Sequence, residues 1–176
     1  MPRSRFPRRN KIANNCDLDK NVKYRQIVNF KPFCYWYSLG DDWYKFWYEE
    51  EKMSKVSNQV VCEIKIKRNM FTTLEKKEKG KILVIDSLED VHTMNKKYSK
   101  KWNGKYKLID FNQVAKIYSG IEFRNYHKIR KYIYENNLYL SDKYSWYLTV
   151  DVNSGCVWNL DIIEVEKIGK LKEFVK

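Results

Sequence analysis

Apolar residues recur along the chain with two different periods. Cys62, Ile64 and Ile66 alternate with Glu63, Lys65 and Lys67, the two-residue period of a strand with one wet face. Ile82-Leu83-Val84-Ile85 is apolar throughout, as in a strand covered on both faces. Lys23–Phe30 and Tyr35–Tyr37 also read as strands, joined through Lys31-Pro32, a step that favours extended chain. Ile121-Glu122-Phe123 and Cys156-Val157-Trp158 are short strands, and Tyr144–Val152 reads as a longer one. Asn153-Ser154-Gly155 is the expected tight turn between the last two, with Gly155 supplying a positive φ.

Helical spacing appears in three places. Trp43, Phe46, Trp47 and Met53 form one stripe behind Asp41 or Asp42, either of which can cap a helix over 41–56. Ser87 caps a second helix, with Leu88, Val91, Met94 and Tyr98 on one face. Asp110 and Gln113 stand at capping-box spacing before Val114, Ile117 and Tyr118, and Gly120 is the expected stop. Residues 127–140 fit a helix or a hairpin, and Ile162–Phe174 is strand-like and then charged. Strands and helices alternate irregularly, which predicts a single α+β domain with a mixed or antiparallel sheet and about three helices.

Composition sharpens this in one respect. Of 176 residues, 43% are hydrophobic, enough for a core, yet the formal net charge is +13. A polyanion partner such as nucleic acid is one reading. Residues with A/T-rich codons are the other, because Lys far outnumbers Arg and Asn, Tyr and Ile are abundant. Residues 1–20 stand apart. They carry half of the arginines and two of the three prolines with no hydrophobic period, which predicts a basic flexible arm ahead of a domain spanning 21–176. Arg3, Arg5, Arg8, Arg9 and Lys11 are its candidate nucleic-acid contacts. A second set is the basic loop at Lys100, Lys101 and Trp102, where the indole either stacks on a base or closes the loop.

Cysteines at 16, 34, 62 and 156 show no paired spacing, so no metal site is expected, and free thiols suit a reducing compartment. Neither a signal peptide nor an apolar run of about 18 residues is present. The expectation is an intracellular protein away from membranes.

One constellation carries candidate catalysis. Arg25 can hold a diphosphate through its fork of donors. Ser38 can orient a ribose, and Glu122 can stabilise an oxocarbenium ion as an N-glycosidic bond breaks. Trp36 or Tyr37 can stack a nicotinamide. Glu122, Ser38 and Arg25 are thus the candidate catalytic residues, Trp36 and Tyr37 the candidate cofactor residues, and NAD the candidate cofactor. The alternative reading is structural: Arg25 pairs with a surface acid, Ser38 caps the following helix and Glu122 faces solvent.

Three segments carry a resemblance. Lys31-Pro32, Tyr35-Trp36-Tyr37-Ser38 and Trp43 resemble a Lys-Pro-x-Gly-Leu-Trp-Tyr-Ser…Trp pattern. Ile109-Asp110…Val114…Tyr118-Ser119-Gly120-Ile121-Glu122 and Ser154-Gly155-Cys156-Val157-Trp158-Asn159 are similar to two further segments of the same family. That family is largely uncharacterised, with members in giant DNA viruses, which implies a host cytoplasm or nucleus. The order Arg25, Ser38, Glu122 also resembles the ADP-ribosyltransferase fold, implying a transferase that uses NAD. The alternative class is a non-catalytic nucleic-acid-binding protein.

Overall fold

The computed structural model describes residues 11–13, 16–51, 59–102 and 106–174. Arg3, Arg5, Arg8 and Arg9 lie outside the described residues. Most strands join one mixed sheet: β1 (Lys11–Ala13), β3 (Tyr35–Leu39), β4 (Val60–Ile66), β5 (Phe71–Thr72), β6 (Ile82–Ile85), β9 (Gly120–Phe123), β10 (Ser154–Val157) and β11 (Ile163–Lys170). Their spatial order is β11-β4-β1-β3-β10-β9-β6-β5. Pairing is antiparallel from β11 to β9 and parallel from β9 to β5. β2 (Val28–Asn29), β7 (Ser99–Trp102) and β8 (Tyr106–Asp110) make a small antiparallel sheet. The molecule is α+β.

Side chains of the large sheet divide between two cores. One face packs under α2 (Leu88–Tyr98), α3 (Phe111–Ala115), α4 (Tyr126–Glu135) and α5 (Ser145–Leu148), with Leu83, Ile85, Ile121, Phe123 and Cys156 meeting Val91, Met94, Val114, Ile129 and Trp146. The other face curls on itself. Ile64 of β4 and Ile82 of β6 share a core cluster with Tyr37 and Val157, although four strands lie between them. β6 is buried along its whole length because it is covered from both sides.

Local chemistry explains several elements. Ser87 accepts a hydrogen bond from the Asp90 amide, and Asp90 accepts from the Ser87 amide, closing a capping box on α2. α1 (Asp42–Glu51) starts where the Trp43 amide donates to Ser38 Oγ at 3.1 Å. The 127–140 region is helical, as α4 followed by a 3-10 turn at Leu138–Leu140.

Four expectations need correction. First, the 1–20 segment is not wholly a flexible arm: β1 sits between β3 and β4 in the middle of the sheet. Second, Cys16 and Cys62 form a disulfide with a Cα–Cα distance of 5.5 Å, so only Cys34 and Cys156 are free thiols, and the redox argument for a reducing compartment loses its basis. Third, Tyr144–Val152 is not a strand: a 3-10 turn at Asp142–Tyr144 runs into α5, and although Tyr144, Trp146, Val150 and Val152 are buried at alternate positions, the burial of Tyr147 beside Trp146 breaks the strand pattern. Fourth, Gly155 and Gly120 are strand residues without positive φ. No helix of the described residues is long and apolar enough to cross a membrane.

Candidate functional site

Tyr37, Gly155 and Glu122 are register partners in one row across β3, β10 and β9, so they occupy the same sheet face. A Cβ on Gly155 would lie 2.3 Å from Tyr37 Cζ. The Tyr37 ring therefore passes directly over Gly155 and donates from its hydroxyl to Glu122 Oε2 at 2.8 Å. Lys11 Nζ reaches the same oxygen at 2.7 Å, and Arg124 Nε and Nη2 both reach Oε1 at 2.7 Å. Both cations also lie over the Phe71 ring, Lys11 at 5.0 Å and Arg124 at 5.2 Å from its centroid.

A carboxylate only 1% exposed must be paired and hydrogen-bonded to stay charged. Glu122 meets that demand with two cations and a phenol. Burial pushes the Tyr37 phenol well above its usual value, and the Glu122 charge pushes it further. The group is thus a closed ionic knot at the centre of the curled face.

The structure does not bring Arg25, Ser38 and Glu122 together. Ser38 pairs with Ser154, which pairs with Phe123, placing it on the helix-covered face opposite Glu122, where it accepts from the Trp43 amide. Arg25 is exposed on irregular chain leading to the small sheet. Trp36 and Tyr37 are consecutive strand residues and point to opposite faces. Trp36 stacks on Phe123 with centroids 6.5 Å apart, in the helix-side core. Lys11 is committed to Glu122. Sequence reasoning passed over Arg124 and Phe71. The Glu122-x-Arg124 spacing was a usable signal, since residues two apart along an extended strand share a side.

Near the exposed edge of Arg124, a cavity of about 350 Å³ is lined by Gly40, Asp41, Asp42, Asn125 and Asn153 among others. Asp42 Oδ2 accepts from Asn153 Nδ2 at 2.5 Å and lies 3.2 Å from His127 Nε2. Burial pushes the Asp42 carboxyl up, but the hydrogen bonds from His127 and Asn153 more than offset this and hold it below its usual value. Asp41 pairs with Lys45 at 2.9 Å. Every charge on this wall is answered within the protein. No group of three or more His, Cys, Asp and Glu among the described residues is placed to hold a metal.

The β7–β8 hairpin is built differently. Trp102 and Tyr106 are directly opposed, and each is about half exposed, at 48% and 49%. Phe30 lies 6.4 Å from Tyr106, centroid to centroid. Lys100 and Lys101 precede Trp102 on the same strand, both exposed, and Lys101 faces Lys107 across the pair. Lys100 bonds the buried Asp110 carboxylate at 2.5 Å. Burial pushes Asp110 up, and Lys100, with hydrogen bonds from Asn112 and the Gln113 backbone, more than offsets this and holds it below its usual value. Lys101 and Lys107 have no acidic partner of this kind among the described residues.

Compared with protein-family models, with curated proteins and with solved structures, the chain finds no match.

Proposed function

We propose that this protein binds single-stranded nucleic acid on the β7–β8 hairpin. The supporting observation is the half-exposed, directly opposed Trp102–Tyr106 pair, with Lys100 on the same face of the ribbon and the Lys101–Lys107 pair on its reverse face. Flat aromatic faces stack on bases of any sequence, while ammonium groups follow the phosphates. Among the described residues Phe33, Tyr132, Tyr134 and Tyr139 are comparably exposed, but none of them is paired with another ring across two strands, and most other aromatic rings lie in the cores. The net charge of +13 favours the same class of partner over long range.

Titration with an oligothymidylate, followed by tryptophan fluorescence, tests the reading. Binding should weaken steeply with salt, and Trp102→Ala should cost about 1–3 kcal/mol, or roughly 5- to 150-fold in Kd. Unchanged affinity in Trp102→Ala would remove the hairpin from consideration.

A further inference from the structure

A second cavity, of about 340 Å³, opens where the C-terminal half of α2 meets β8 and the 3-10 turn at Asp142–Tyr144. Lys96, Lys107 and Lys143 reach its walls from three separate elements. None of these lysines makes an ion pair among the described residues, and no carboxylate lines the cavity. Glu89 approaches His92 Nδ1 only at 4.0 Å and is itself exposed. This differs from the Asp42 wall, where each charge has its counterpart, and three like charges facing one space repel one another unless an anion is among them.

The remaining lining groups also supply donors. Asn95 Oδ1 accepts from Trp146 Nε1 at 2.9 Å. That bond orients the amide, and its Nδ2 is buried with no hydrogen-bond partner among the described residues. A buried donor left unmade is costly, so an acceptor supplied from outside would be stabilising. Ser99 adds a hydroxyl. His92 and Tyr144, joined by a 2.6 Å hydrogen bond, form an angled aromatic corner with ring centroids 5.7 Å apart and planes 55° from each other.

We propose that this cavity receives a phosphate monoester, borne by a free nucleotide or by the phosphorylated end of a nucleic-acid strand. The chemistry selects that group. A terminal phosphate carries more charge than an internal diester and has three peripheral oxygens for donors converging from several sides. Lysines serve it as point charges without the fork geometry of arginine. The volume is at the small end of ligand cavities, sized for one nucleotide and not for a continuing strand. The cavity shares Ser99 and Lys107 with the hairpin, but Trp102 and Tyr106 do not line it, so the two readings are separable through the aromatic pair.

Calorimetric titration of the full chain with AMP, adenosine, inorganic phosphate and sulfate is the first arm. AMP should bind and adenosine should not. Lys96→Ala and Lys143→Ala, both exposed positions that should leave the melting temperature unchanged, should each weaken AMP about tenfold, the loss of one charge-assisted hydrogen bond. The second arm compares a 3′-labelled oligothymidylate bearing a 5′-phosphate with its 5′-hydroxyl twin. A gain from the 5′-phosphate that Lys143→Ala abolishes assigns the strand end; AMP binding with no such gain assigns the free nucleotide. The proposal fails if neither AMP nor phosphate binds at millimolar concentration, or if sulfate competes as well as phosphate. It also fails if Trp102→Ala abolishes AMP binding, because the ligand would then sit on the hairpin. Loss of oligothymidylate binding in Trp102→Ala with AMP binding intact leaves the cavity assignment standing.

Discussion

Gly155 shows how much one missing Cβ can organise. It lies mid-strand, where glycine weakens a sheet by offering no side chain to pack. Its value is the space it leaves for Tyr37, whose ring must cross β10 to reach Glu122 on β9. Gly155→Ala should therefore destabilise the fold by about 3 kcal/mol, as overpacking at a closed site does. In that background Tyr37→Ala should cost much less than in the wild type, because the obstructed ring is gone. Urea unfolding of the two single variants and the double variant reads this directly. Strict additivity would mean that the ring does not depend on Gly155. The same residue-by-residue view separates Ser38 from Glu122. Both were legible as strand residues, but which face each one takes follows from the pairing register, and the register sets them on opposite sides.

At the scale of elements, β1 is the largest departure from the pattern along the chain. Three residues in a basic segment give no periodicity to detect. They become a strand because β3 and β4 each present a free edge on that side, and Ile12 and Ala13 bury their side chains in two different core clusters on opposite faces of the sheet. The Cys16–Cys62 disulfide then fastens the following chain to β4, to which β1 is itself paired. Closing a loop with a sequence separation of 46 restricts the unfolded chain. Reduction, or Cys16→Ser, should accordingly lower stability by about 2–4 kcal/mol and the melting temperature by about 5–15 °C. Differential scanning calorimetry with and without a reductant measures it; coincident melts would mean that the bond contributes nothing. Helix and strand were also exchanged over 144–152. Aromatic and β-branched residues favour strands when half-buried, whereas here the segment packs Trp146, Tyr147 and Val150 into the helix-side core.

Across the whole molecule, the buried tyrosines set a limit on the alkaline side. Burial pushes Tyr35 and Tyr126 up to about 12, and raises Tyr37, Tyr118 and Tyr147 as well. In the unfolded chain a phenol ionises near pH 10. Folded values raised above that contribute stability that is complete below about pH 10 and is lost as pH rises from there toward pH 12 and beyond. Urea midpoints should hold steady from neutral pH to pH 9 and fall sharply above it, with tyrosinate absorbance appearing together with unfolding. A gradual ionisation near pH 10 in a chain that stays folded would contradict the burial of these rings. The charge of +13 acts on the same scale, through long-range attraction of anions, and takes local form where lysines stand without acids, as at the hairpin and in the α2–β8 cavity.

The amino-acid sequence by itself determined the α+β class, the buried β6 strand, the Ser87 cap and the position of Glu122 on a strand, because periodicity and capping act over a few residues; at Lys100, Lys101 and Trp102 it reads as a loop, whereas they lie on β7. Tertiary structure alone decided that Lys11 and Arg124 neutralise Glu122, that Ser38 faces the other way and that Cys16 bonds Cys62. It also gathered Lys96, Lys107 and Lys143 around one cavity. Each of these depends on strand order, register or the approach of elements distant in the chain, and a long-range meeting leaves no local period to read.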